Sequence, residues 1–222
     1  MISAIDVWKF VHILLFVYWL GADLGVFLLA LASKRSNLSF AERALALKMA
    51  MVIDVMPRLS FALMFPVGLE LAAAKGYVEP SALARSASWL ISAAWVSIVI
   101  GMTKLEGKPV AHTLAKANAA LHWALLFVVV GIGTSSVLGH GPFPAGWLGW
   151  KILLFGLIFF CGIMIDREFK PMLPAFTRLA TEGSQPGIEA DISRAVDGAV
   201  RWVLALYALV VGIAFLGTAK PF

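Results

Sequence analysis

Val7-Trp8-Lys9-Phe10-Val11-His12-Ile13-Leu14-Leu15-Phe16-Val17-Tyr18-Trp19-Leu20 opens an apolar run that continues to about residue 32, with Asp23 its one further charge. At roughly 1.5 Å per residue the run outreaches the ~30 Å hydrocarbon core of a bilayer, so it reads as a tilted membrane-spanning helix. Five more stretches of this kind follow, near 50–72, 86–103, 118–138, 147–165 and 199–217. In lipid the backbone must bond within a helix, which excludes strands from these segments. The expectation is an all-α, polytopic six-helix transmembrane bundle, a single integral membrane domain over 1–222. A mean hydropathy of +0.89 leaves no room for a soluble domain. The first run is no cleaved signal peptide, since it lacks a basic leader, is too long, and carries Lys9, His12 and Asp23.

The net charge of +5 invites a nucleic-acid reading until the charges are placed. Most Lys and Arg residues fall in alternate loops: Lys34, Arg35, Arg43 and Lys48; Lys104, Lys108 and Lys116; then Arg167, Lys170, Arg178, Arg194 and Arg201. The remaining connections hold only Lys75 and Arg85. By the positive-inside bias the rich loops are cytoplasmic and both termini are expected on the outer, periplasmic side of a bacterial inner (plasma) membrane. The basicity is topological, and no nucleic-acid partner is expected. Cys161, the only cysteine, excludes a disulfide framework and a thiolate metal site.

Ser39 and Glu42 form the pattern of a capping box, which starts the second helix well before its apolar part. Pro57 and Pro66 are expected to kink that helix. The segment from Asp166 to about Arg201 reads as the longest loop, broken by Pro171, Pro174, Gly183, Pro186 and Gly187.

Lys9, His12, Phe16, Trp19 and Asp23 are spaced 3, 4, 3 and 4 apart and so share one narrow stripe of the first helix. Ionisable groups at such depth are costly, so the stripe is expected to face the bundle interior. The bland alternative for His12 is a hydrogen bond to a neighbouring helix. The functional one is an axial ligand to haem iron, with proton relay and copper binding as further options. Phe16 and Trp19 suit the wall of a macrocycle pocket, and Lys9, nearer the surface, suits a propionate. Lys151, in Gly146-Trp147-Leu148-Gly149-Trp150-Lys151, enters from the same side at similar depth, and the alternative for it is snorkelling to the interface. His140 lies in a loop on the His12 side and is, with Lys151, a candidate second iron ligand. Asp23 and Arg58 have matched depths on successive helices and are expected to pair, with Asp54 either sharing the charge or sitting at the water boundary; Arg58 is also placed to meet an anionic cofactor group. His122 is expected at the opposite interface, and His112 in a solvated loop. No phosphate loop, His-Glu-x-x-His or Cys-x-x-Cys-His is present.

Lys9-x-x-His12 followed by Trp19-x-Gly21, then Met56-Pro57 through Pro66 and Gly68, then Gly146-Trp147-x-x-x-Lys151, resemble motifs of the HemJ-type protoporphyrinogen oxidase and CopD-like membrane families. The resemblance covers the first, second, fifth and sixth spans; the third and fourth look like an added pair. It implies haem b bound in the bundle, His12 as axial ligand and Lys151 as a functional lysine. The function expected is a membrane haem b oxidoreductase or electron-transfer component. Lys9 and Lys151 would serve propionates or substrate, and His12, Phe16, Trp19, Arg58 and Trp147 the cofactor. The bilayer, a quinone or porphyrin, a redox partner and a second copy of the chain are the partners considered. Copper transport of the CopD-like kind and a non-catalytic membrane subunit are the alternatives.

Overall fold

The computed structural model describes residues 2–221. Among them every regular element is helical: α1 (Ala4–Ser33), α2 (Phe40–Ile53), α3 (Val55–Ala74), α4 (Ala82–Lys104), α5 (Pro109–Val137), α6 (Gly146–Phe169), α7 (Met172–Glu182) and α8 (Pro186–Ala219). Six helical stretches are long and apolar enough to cross a membrane, with α2–α3 and α6–α7 each counting as one. The chain is thus a multi-pass helical membrane protein.

The helix ends follow from local chemistry. Ser39 and Glu42 do form a reciprocal capping box at the start of α2, and Ser3 and Asp6 form another at α1. Each box satisfies amide groups that have no partner inside the helix. Pro57 interrupts the 40–74 helix rather than merely bending it. Its ring nitrogen has no proton to give the carbonyl of Ile53, and the helix breaks at Asp54, where α2 ends and α3 begins. Pro66 lies inside α3 with no break.

The segment expected as a long broken loop is mostly helix. α6 runs on to Phe169, α7 follows almost at once, and α8 starts at Pro186 in the favoured first-turn position. The prolines punctuate helix starts, and only a short connection around Gly183 is irregular. Met172, Ala175, Phe176 and Leu179 line one buried face of α7. They pack with Leu47, Ile188, Ile192, Ala195 and Val196 into a small apolar cluster at the end of the bundle far from the termini.

The spans pack in chain order, α1 on α3, α3 on α4, α4 on α5, α5 on α6 and α6 on α8. The ring closes where α8 meets α1, and there the two helices touch only lightly. α5 and α6 approach so closely that a Cβ on Gly133 would lie 2.5 Å from the Leu153 backbone, and one on Gly156 2.9 Å from that of Val130. Small residues at a contact are how membrane helices gain van der Waals packing without a hydrophobic drive. The centre is aromatic: Phe61 stacks on Trp19 at 4.8 Å, with Phe159 at 4.7 Å, Trp95 at 5.1 Å and Phe155 at 5.3 Å.

Candidate functional site

α1 carries His12 into the bundle against α3. A Cβ added at Gly68 would lie 3.2 Å from His12 Cε1 and 3.6 Å from Nδ1, so the imidazole occupies the notch this glycine leaves. His12 Nδ1 is buried and has no hydrogen-bond partner. A neighbouring helix therefore does not satisfy this nitrogen, which was the bland sequence reading. α6 brings Lys151 into electrostatic range of His12. Its Nζ sits in a second notch, 2.7 Å from where a Cβ on Gly217 of α8 would be. No ion pair to Lys151 forms among the described residues. Lys220 and Lys75 are its charged neighbours, which makes this end of the bundle cationic.

The other sequence candidates divide. Lys9 is exposed at the rim, so the stripe is interior only from His12 onward. Phe16 is half-buried against the central cluster. Trp147 is buried at the terminal end, edge-on to Tyr77 at 5.3 Å, with the Lys220 ammonium 5.7 Å above its ring. Lys220 also donates to Tyr77 Oη at 2.7 Å, and this holds the exposed phenol below its ordinary pKa. His140 and His112 are exposed.

Arg58 lies elsewhere, toward the far end, and its partner is not Asp23. Its Nε donates to Asp54 Oδ2 at 2.6 Å and its Nη2 to Asp166 Oδ1 at 3.4 Å. One helical turn favours Asp54, and α6 delivers Asp166 from the far interface, so the nearer carboxylates take the Nε and Nη2 donors of the guanidinium. Asp23 instead lies beside the Tyr207 hydroxyl of α8. That contact falls short of hydrogen-bond geometry and leaves Tyr207 Oη buried without a partner.

Trp19, Asp23, Asp54, Arg58, His122 and Asp166 all line one cavity of about 190 Å³ that reaches from the centre toward the far end. Its remaining wall is apolar and comes from α1, α2, α3, α6 and α8. His122 is buried, not an interfacial side chain. Trp95 Nε1 donates to Asn118 Oδ1 at 3.1 Å, and Asn118 Nδ2 lies 3.2 Å from His122 Nδ1. Indole can only donate, so it fixes the amide orientation; the amide nitrogen must then donate to Nδ1, which leaves the ring proton on Nε2.

No family model, curated protein or solved structure matches the chain. Two polar sites thus stand on the geometry alone: His12 with Lys151 near the terminal end, and the Arg58–His122 cavity beyond the aromatic centre. Among the described residues no three His, Cys, Asp or Glu side chains converge on a metal-binding point. The sequence reading missed Asp166, Asn118, Trp95 and Tyr207 as parts of a site. Asn118 and His122 at i and i+4 were a signal for a hydrogen-bonded pair, whereas Asp166 reaches the cavity, and Tyr207 its neighbour Asp23, only through the packing of α6 and α8.

Proposed function

We propose that the chain is a haem b protein of a bacterial inner membrane, HemJ-like, acting as an oxidoreductase or electron-transfer component that exchanges electrons with quinone or a redox partner. The observation that supports this most is the buried, unpartnered Nδ1 of His12 within electrostatic range of an unpaired Lys151. A free imidazole nitrogen in an apolar interior suits a strong-field axial ligand. The adjacent cations suit the two carboxylates that a porphyrin carries.

When bound, the haem supplies one-electron exchange at its iron. The chain's residues do the rest. His12 offers nitrogen to the metal, and the Gly68 notch sets the ring's position. Lys151, with Lys220 and Lys75 nearby, balances carboxylate charge where no protein acid does. The aromatic centre of Trp19, Phe61 and Phe155 excludes water below the site. The basic loops Lys34–Lys48, Lys104–Lys116 and Arg167–Arg201 all border the far end, and by the positive-inside bias that end is cytoplasmic. His12 and Lys151 then lie in the periplasmic half.

The test is the absorption spectrum of detergent-purified protein, oxidised and dithionite-reduced. A Soret band that His12→Ala abolishes supports the reading. A colourless protein carrying copper would favour the CopD-like alternative, and one with neither cofactor but a stoichiometric partner would favour a structural subunit.

A further inference from the structure

The cavity beyond the aromatic centre is not part of the His12 site. It combines three features: room, aromatic walls, and hydrogen-bond donors left over after the protein has satisfied itself. Engineered apolar cavities of about 150 Å³ take up benzene, so about 190 Å³ accommodates a ring system of one or two fused rings. The stacked rings of Trp19 and Phe61 close its inner end. His122 is only 9% exposed, lines the cavity, and has its Nδ1 occupied by Asn118, so Nε2–H is a donor with no partner in the protein. Arg58 uses Nε and Nη2 on Asp54 and Asp166 and keeps Nη1 free.

The charge pattern narrows the ligand. Asp23, Asp54 and Asp166 repel an anion. A cation meets Arg58, which already engages two of those three carboxylates. A neutral aromatic ring bearing acceptor oxygens satisfies both leftover donors and breaks no ion pair. Access matches as well, because the cavity is flanked by α1 and α8, which meet only lightly.

We infer that this cavity seats the ring of a quinone, with its carbonyl oxygens facing His122 Nε2 and Arg58 and its ring edge toward the Trp19–Phe61 stack. Its place in electron transfer rests on the haem reading, whereas ring binding does not. The seat lies toward the cytoplasmic end in the topology proposed above, on the opposite side of the aromatic centre from His12.

The experiment titrates purified full-length protein with menadione, a bicyclic quinone without a tail, by isothermal calorimetry in detergent. Saturable one-site binding is expected, and 2-methylnaphthalene, which has the rings without the oxygens, should bind at least tenfold more weakly. Gly162 lines the cavity and has open space where its Cβ would go. Gly162→Leu should therefore fill the seat, keep or raise the melting temperature, and weaken menadione at least tenfold. His122→Gln, which keeps polarity but moves the donor, should weaken it severalfold and serves if Gly162→Leu fails to accumulate. His12→Ala should leave menadione affinity within twofold, which separates a failure of the haem reading from a failure of this one. Absence of saturable binding, equal affinity for 2-methylnaphthalene, or unchanged affinity in Gly162→Leu or His122→Gln overturns the proposal.

Discussion

Arg43 of α2 grips Glu189 of α8 through both terminal guanidinium nitrogens, at 2.8 and 2.9 Å, while its Nε donates to the carbonyl of Ser33 at the end of α1 at 2.9 Å. The Arg43 side chain is 2% exposed, and the Phe176 ring of α7 lies 5.6 Å from its guanidinium carbon. One side chain thereby ties four helices together at the far end, and Lys34 paired with Asp197 adds a second link between the end of α1 and α8.

Removing one partner of such a pair strands a buried charge. Glu189→Met, which leaves the buried Arg43 guanidinium unpaired, should cost about 3–5 kcal/mol of unfolding free energy, and adding Arg43→Met should recover part of that loss. Thermal or denaturant unfolding in detergent checks it. Strictly additive losses would show that the two side chains are not energetically coupled.

The Arg58 pairing gives an ordering. Asp54→Asn should destabilise by about 1 kcal/mol, discounted because both side chains are about a third exposed. Asp23→Asn should cost no more than a few tenths of a kcal/mol, since Asp23 holds no ion pair. A larger loss from Asp23→Asn than from Asp54→Asn in the same unfolding assay would restore the Asp23–Arg58 pair expected from sequence depth.

Gly68 offers a test of the His12 site that leaves the ligand in place. Gly68→Val adds bulk 3.2 Å from His12 Cε1, in the direction of the ring. Haem content per protein should fall severalfold or the Soret band should shift, whereas Gly131→Ala, on an exposed face of α5 with nothing within 4 Å of the added Cβ, should leave the spectrum alone. An unshifted, fully populated spectrum in Gly68→Val would remove the notch from the argument.

Topology is separately measurable. In the proposed topology, with both termini periplasmic, an alkaline phosphatase fusion after residue 222 should be active, and a green fluorescent fusion at the same point should stay dark when exported unfolded. A bright C-terminal fluorescent fusion reverses the orientation and puts His12 in the cytoplasmic half.

Much of this architecture is legible in the chain because lipid enforces a simple rule: long apolar runs become helices. The Ser39–Glu42 cap was readable for the same local reason. The 166–201 segment was misread because its prolines and glycines drew more weight than its periodicity. Met172, Ala175, Phe176 and Leu179 repeat at three and four residues, and Pro171 and Pro186 stand where helices begin. For the candidate sites, the stripe on α1 located His12, but it could not show that Lys9 stays at the rim or that Trp19 serves the other cavity. Arg58 was mis-paired because depth matching counts residues along helices and ignores azimuth. Asp166 lies on the correct side of Arg58 only after α6 packs onto its neighbours. Gly68 and Gly217 were invisible as site residues, since a glycine's contribution there is space.

The light contact between α1 and α8 has a thermodynamic consequence. In water, parting two apolar helices costs free energy in proportion to the surface exposed, but in a bilayer the freed surface meets acyl chains as apolar as itself. Beyond the Lys34–Asp197 and Arg43 links at its far end, the seam is held by dispersion between the two helices, and Asp23 beside Tyr207 is not a formed hydrogen bond. Its width is therefore set as much by the chain length and lateral packing of the surrounding lipid as by the protein. Stability measured in a short-chain detergent and in a thick, ordered bilayer should differ most at this seam, and least at the α5–α6 contact, where backbone meets backbone.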